Sequence, residues 1–212
     1  MLAKPTIHID EDDVEEQLAK LGLTLNSLHE ALRAGYEAKQ DLTKNDPIWH
    51  RAPTPTAKII RGLREQLIPQ GWIRSDAKGL ATIIHPDGHL SIGVAAGDKM
   101  TGLDTEVQPR TRSRKGPATK DAISINQLRF EGMLPEISPP STRILLFRIA
   151  SNTIKAELSL PASIGEDEHI SEWSKRIILP DMKLTTAIPT PTPVPVPVPA
   201  TSIKVPRKAQ SG

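Results

Sequence analysis

The chain has 212 residues, 27 of them basic and 25 acidic, so its net charge of +2 does not by itself indicate a nucleic-acid-binding protein. It contains no cysteine, which excludes disulfides, thiol nucleophiles and thiolate zinc sites. No apolar run reaches the ~18 residues of a membrane-spanning helix, and the first residues lack the apolar stretch of a signal peptide. We therefore expect a soluble, cytoplasmic protein with no membrane partner.

Two short amphipathic helices are predicted within residues 1–45. Residues 10–22 place Val14, Leu18 and Leu21 on one apolar stripe, and residues 24–40 form a second helix with Thr24 as its N-cap. Two interpretations of this pair stay open. It is either a helical hairpin packed on the main body, which its acidic first helix favours, or a DNA-binding helix-turn-helix.

Residues 46–182 are predicted to form an α+β core domain. A third helix covers residues 56–68, a β-hairpin over residues 80–96 turns at Asp87-Gly88, and a fourth helix begins near Thr119. Three more strands follow, at residues 142–150, 153–161 and 171–180. Because short turns join neighbouring strands, we expect an α+β fold in which helices flank an antiparallel β-sheet.

Residues 183–212 are predicted to be a disordered, proline-rich basic tail. Proline occupies every second position from Pro189 to Pro199, and proline can neither donate to a sheet nor continue a helix. The tail has four basic residues and no acids, which is more positive charge than the net charge of the whole chain. We expect it to act as a spacer that is dispensable for folding.

A cationic loop precedes the fourth helix. It carries Arg110, Arg112, Arg114 and Lys115, and Lys120 follows in the first turn of the helix. These side chains could contact the phosphates of nucleic acid without sequence preference, because a basic row and a helix N-terminus both attract anions. They could equally balance acids of the same loop, which are Asp98, Asp104 and Glu106.

The sequence contains weak candidates for a catalytic site. These are Asp98, Glu157 and Arg176, which lie in or beside predicted strands, although a charge pair between adjacent strands explains the last two equally well. No phosphate-binding glycine loop and no serine nucleophile motif occurs. We expect no cofactor and no metal, and we interpret His85, Asp87 and His89 as surface residues around the hairpin turn.

Several stretches together resemble a family of uncharacterised bacterial proteins associated with prophages, plasmids and other mobile elements. They are HPDGHLSIGVAAGD, TG, KGPAT, AELSLP and WSKRIILP, and the likeness covers roughly residues 20 to 180. The resemblance implies a biological context and no mechanism. In the family pattern an acid often follows the aspartate of the GD motif, and here that position is Lys99, which weakens a paired-carboxylate site at Asp98.

These observations favour a non-enzymatic accessory protein of a mobile genetic element. It would bind nucleic acid non-specifically through the basic loop, or bind a host or phage protein. One alternative is a hydrolase-like enzyme, which should bring Asp98, Glu157 and Arg176 together in a concave site. The other is a structural or protein-interaction module, which should expose a broad apolar patch.

Overall fold

The computed structural model describes residues 4–130 and 139–184. Its helices are α1 (Glu11–Ala19), α2 (Leu25–Gln40), α3 (Ile48–Arg51), α4 (Pro53–Leu67) and α5 (Pro117–Phe130). Its strands are β1 (Thr6–His8), β2 (Ile73–Ser75), β3 (Thr82–Ile84), β4 (Leu90–Ala96), β5 (Ser141–Ala150), β6 (Thr153–Ile164), β7 (Ile170–Ile178) and β8 (Met182–Lys183). The α+β class is therefore confirmed for this part of the chain.

The strands form one sheet in the order β1-β7-β6-β5-β4-β3-β2, and β8 pairs with the start of β6. The prediction of an antiparallel sheet is wrong at two places, because β4 pairs parallel with β5 and β1 pairs parallel with β7. At the centre of the sheet, the parallel pairing of β4 with β5 follows from the position of α5. This helix lies in the connection between β4 and β5, and a crossover of this length lets the second strand run in the direction of the first. The pairs β3–β4, β5–β6 and β6–β7 are antiparallel.

Helices α1, α2 and α4 cover one face of the sheet. The main core lies between them and includes Leu18, Leu28, Leu63, Ile92 and Leu145, all of which are buried. Burying side chains of this size stabilises a fold by ~1.5–3 kcal/mol each, before the entropy of ordering them is counted. The N-terminal helices therefore share their apolar core with the sheet.

The second predicted helix, α2, packs one of its faces into the main core. Thr24 caps α2 as predicted, since its Oγ1 accepts the N–H of Ser27 at 3.1 Å. Ser27 itself is buried, and its hydroxyl donates to the backbone carbonyl of Thr24. Burial lowers the pKa of His29. Two of the residues that a recognition helix would offer to DNA, Ser27 and His29, are thus turned into the protein, which favours the helical-hairpin interpretation.

The opposite face of the sheet is covered by α5 and by the long segment between β4 and α5. A second core lies there, formed by Ala95, Ile123, Ile144, Leu146, Ile170 and Trp173. We call residues 97–116 the connecting loop.

No helix in the described residues is long and apolar enough to cross a membrane.

The predicted tail begins inside the fold. Lys183 pairs with Thr153 in strand β8, and the N–H of Leu184 donates to the carbonyl of Asn152 at 2.8 Å. Leu184 also packs against the main core. The remainder of the predicted tail, residues 185–212, lies outside the described residues, so its disorder stays a prediction.

Candidate anion-binding site

Backbone pairing fixes both ends of the connecting loop. Gly97 and Thr111 form an isolated antiparallel bridge, the N–H of Arg112 donates to the carbonyl of Ala96 at 2.8 Å, and the N–H of Thr111 donates to the carbonyl of Ile170 at 3.0 Å. Trp173 adds a side-chain bond, since its indole N–H donates to the carbonyl of Pro109 at 2.7 Å. The loop thus returns to the end of β4, and its cations have defined positions.

Two of the predicted phosphate-binding cations pair with the acidic turn between β6 and β7. Arg110 lies 2.6 Å from Asp167, and Lys120 lies 2.7 Å from Glu168. The backbone N–H of His169 and then Arg110 hold the pKa of Asp167 below its ordinary value, and Lys120 does the same for Glu168. The cations are therefore balanced, but by a different set of acids from the expected Asp98, Asp104 and Glu106.

The middle residues of the row divide between two environments. Arg114 adds to the lowering of the pKa of both Asp167 and Glu168, so it lies within electrostatic reach of the same acidic turn. Lys115 donates to the hydroxyl of Ser113, and burial lowers its pKa. Within residues 4–130 and 139–184, Arg112 has no carboxylate partner, and it lies on the wall of a cavity instead.

This basic cavity has a volume of about 470 Å³. It lies at the carboxyl ends of β4 and β5, the parallel pair at the centre of the sheet. Its charged lining residues are Lys39, Arg51, Asp98, Lys99, Arg112 and Arg148. Its apolar wall is formed by Leu42, Ala52, Pro55, Phe147 and Ile149. A cavity of this size accommodates a small molecule or one unit of a polymer.

The cations of the basic cavity come from four separate segments. Lys39 is in the last turn of α2, Arg51 ends α3, Lys99 and Arg112 belong to the connecting loop, and Arg148 is in β5. None of the five is ion-paired with an acid in the part of the chain that the structure describes. Such a concentration of unbalanced positive charge attracts an anion.

Backbone carbonyls hold several of these cations in place. The Lys39 ammonium donates to the carbonyl of Ile149 at 3.0 Å, Arg51 Nε donates to the carbonyl of Asp46 at 2.9 Å, and Arg148 donates to the carbonyl of Lys99 at 3.2 Å. Burial, and then the charge of Arg112, lower the pKa of Lys39. An anion in the cavity would relieve that repulsion, since it would favour the charged form of the lysine.

Asp98 lies in the basic cavity, but it is oriented by its own loop. Its Oδ1 accepts the N–H of Met100 at 3.0 Å, and its own N–H donates to the carbonyl of Arg110. The described lining contains no serine, histidine or second carboxylate beside it. The cavity is therefore built to attract an anion, and its residues do not form an acid–base pair.

Glu157 and Arg176 form the expected charge pair between adjacent strands, on the other face of the sheet. Both side chains are 0% exposed. Arg176 donates to both carboxylate oxygens of Glu157, at 3.1 and 2.5 Å. The carboxylate also accepts the hydroxyl of Ser159 and the N–H of Gly102, and Arg176 donates to the carbonyl of Leu103. The pair thus holds the connecting loop against the sheet.

The structure does not gather Asp98, Glu157 and Arg176 into one site. Glu157 lies opposite Leu146, and successive side chains of a strand alternate between the two faces of a sheet. Phe147, which lines the basic cavity, therefore lies on the opposite face from Glu157. The concave site that the enzyme hypothesis requires is not formed by these three residues.

Of the residues that line the cavity, the sequence indicated Arg112 as a phosphate contact and Asp98 as a weak catalytic candidate. It did not indicate Lys39, Arg51, Lys99 or Arg148 as binding residues. One local signal was present for Arg148, which is the single charged residue in the otherwise apolar run of residues 144–150. Lys39 and Arg51 had no such signal in the sequence. Basic residues are common in the last turn of a helix, where they interact favourably with the helix dipole.

Comparison with known proteins gave no further assignment: no family model matches the chain, and neither a curated protein nor a solved structure matches it.

Proposed function

We propose that this is a non-enzymatic protein that binds the phosphate groups of single-stranded nucleic acid in the basic cavity. The observation that carries the proposal is the convergence of five cationic side chains on one cavity of about 470 Å³, in which Asp98 is the one acid of the lining and none of the five is ion-paired among the described residues. The resemblance to mobile-element proteins supports placing this binding in the life cycle of such an element.

The chemistry of the lining residues suits a phosphodiester. Arg51, Arg112 and Arg148 carry guanidinium groups, whose planar fork of donors matches the oxygens of a phosphate. Lys39 and Lys99 add two point charges. The apolar side chains of Phe147 and Ile149 lie on the same wall, so a base or sugar could contact them while the phosphate contacts the cations.

An exposed aromatic residue in α3, the short helix whose last residue lines the cavity, favours a single strand over a duplex. Trp49 is 77% exposed and Ile48 is 84% exposed, and both lie in α3, the short helix that ends at Arg51. Stacking of an unpaired base on an aromatic side chain contributes ~1–3 kcal/mol, and it requires no particular base. A duplex would instead need a broad cationic face, whereas Arg110 and Lys120 are paired with Asp167 and Glu168.

Two arginines of the connecting loop provide a matched test. Arg112 lines the cavity, whereas Arg110, two residues earlier, is paired with Asp167. We expect Arg112→Ala to weaken binding of a labelled oligothymidylate by about tenfold or more, which is the loss of one charge-assisted contact. Arg110→Ala should change the affinity by no more than about twofold. Fluorescence anisotropy at low and at physiological salt measures both affinities.

The two variants also separate the competing hypotheses. If they weaken binding equally, the whole cationic row of the loop binds the strand and the cavity does not. If the wild-type protein binds no oligothymidylate at low salt but binds ATP, and Arg112→Ala abolishes that binding, the cavity takes a free nucleotide. Trp49→Ala should weaken oligothymidylate binding without affecting ATP, because only the polymer reaches the stacking surface.

A further inference from the structure

A group of potential metal ligands lies at the tip of the β3–β4 hairpin. His85 follows β3, Asp87 is in the turn, and His89 precedes β4. One ligand atom of each side chain lies within 4.8 Å of the other two. The sequence suggested only surface residues around a turn, and it is the hairpin geometry that brings the three side chains together.

The backbone of the turn fixes the positions from which these side chains start. The N–H of His85 donates to the carbonyl of Leu90 at 2.9 Å, and the N–H of Gly88 donates to the carbonyl of His85 at 2.8 Å. Gly88 has a φ of 72°, which suits glycine at this place in a tight turn. The metal ligands are therefore held by an ordered hairpin that belongs to the central sheet.

The ring of His85 is oriented by its neighbours. It packs edge-on against Trp72, with ring centroids 5.0 Å apart, and its Nε2 lies so close to Gly22 that a Cβ there would be 2.9 Å away. Its Nδ1 accepts the N–H of Asp87 at 3.2 Å, so this nitrogen presents a lone pair towards the turn. The ring of His89 lies 4.4 Å from that of His85.

We propose that His85 Nδ1, the carboxylate of Asp87 and an imidazole nitrogen of His89 bind a divalent transition-metal ion of the zinc type. Two imidazoles and one carboxylate are a known zinc ligand set, and a water molecule completes the tetrahedron. Bond lengths of about 2.1 Å place the donors of a tetrahedral site about 3.4 Å apart, so donors that now lie within 4.8 Å of one another must move closer together. Asp87 and His89 are exposed and free to rotate, and the ion replaces the single hydrogen bond to His85 Nδ1.

This site is separate from the basic cavity. The hairpin tip lies before the first residue of β4, whereas the cavity lies after its last residue. A strand of this length spans about 20 Å, so neither site contacts the other. Metal binding at the hairpin is thus independent of anion binding in the cavity, and each is tested without the other.

The test is calorimetric titration of the untagged, full-length protein with Zn²⁺. We expect saturable one-to-one binding in the wild-type protein, and a loss of at least about tenfold in affinity in both His89→Gln and Asp87→Asn. His50→Gln is the matched control, because His50 is an exposed histidine remote in sequence from the hairpin. The Zn²⁺ affinity of this variant should equal that of the wild type.

A second readout comes from Trp72. Cu²⁺ bound at His85 should quench the fluorescence of this neighbouring indole, and His89→Gln should need at least about tenfold more Cu²⁺ for the same quenching. Circular dichroism checks that each variant is folded. If His89→Gln does not fold, the affinity of Asp87→Asn decides the test. The proposal is wrong if the wild type shows no saturable binding, if the hairpin variants bind as well as the wild type, or if His50→Gln loses affinity equally.

Discussion

At the scale of single residues, the most costly group to bury is the Glu157–Arg176 pair. Taking two charges fully out of water carries a large desolvation penalty, which is offset only when the geometry is good and the other polar atoms are satisfied. Here Glu157 accepts bonds from Arg176, Ser159 and Gly102, whereas Arg176 Nη1 is buried and has no hydrogen-bond partner among the described residues. The pair therefore fixes how the connecting loop packs on the sheet.

We expect Glu157→Ala to lower the free energy of unfolding by about 3–5 kcal/mol, because Arg176 would remain buried without its partner. Ser159→Ala removes only one hydrogen bond to the carboxylate and should cost about 1 kcal/mol. Urea denaturation measures both. The double variant Glu157→Ala/Arg176→Ala should cost less than the sum of the two single variants. A cost of less than ~1 kcal/mol for Glu157→Ala would contradict this account of the pair.

At the scale of secondary-structure elements, small residues set the distance between α2 and α4. Gly62 of α4 faces Ala31 of α2, and a Cβ added at Gly62 would lie 2.8 Å from the Cα of Ala31. Gly35 of α2 is similarly close to Ile59 of α4. The two helices can therefore approach closely and bury the apolar stripes that form the main core.

Gly62→Ala should destabilise the protein by about 1–3 kcal/mol, although alanine is the better helix former by ~1 kcal/mol. The new methyl group meets backbone rather than the flexible end of a side chain, so one helix must shift. Thermal denaturation measures the effect. Gly116→Ala is the control, because nothing lies within 4 Å of a Cβ there. An unchanged midpoint for Gly62→Ala would show that the helices are not in this close contact.

At the scale of the whole molecule, β8 marks the limit of the described fold. Truncation after Leu184 tests the sequence prediction that residues 185–212 are dispensable, and we expect the thermal midpoint to change by less than ~4 °C, or about 1 kcal/mol. Truncation after Met182 also removes the pairing of Lys183 and the packing of Leu184, so it should lower the midpoint further. A larger loss on the first truncation would show that the tail stabilises the body.

The sequence by itself determined the local features of this protein. Helix α2 with its Thr24 cap, the hairpin at Asp87-Gly88 and the strands β5, β6 and β7 were all predicted, because each leaves a periodic or turn signal within a few residues. The charge pair between Glu157 and Arg176 was predicted for the same reason, since short turns make neighbouring strands pair.

Only the tertiary structure decided the direction of the central strands and the composition of the basic cavity. The parallel pairing of β4 with β5 depends on where the chain returns to the sheet after α5. Arg110 and Arg112 look alike in the sequence, yet one meets Asp167 and the other lies beside Lys39 and Arg148. The physical reason is that electrostatic partners are chosen by distance in space, and residues far apart in the chain become neighbours only through packing.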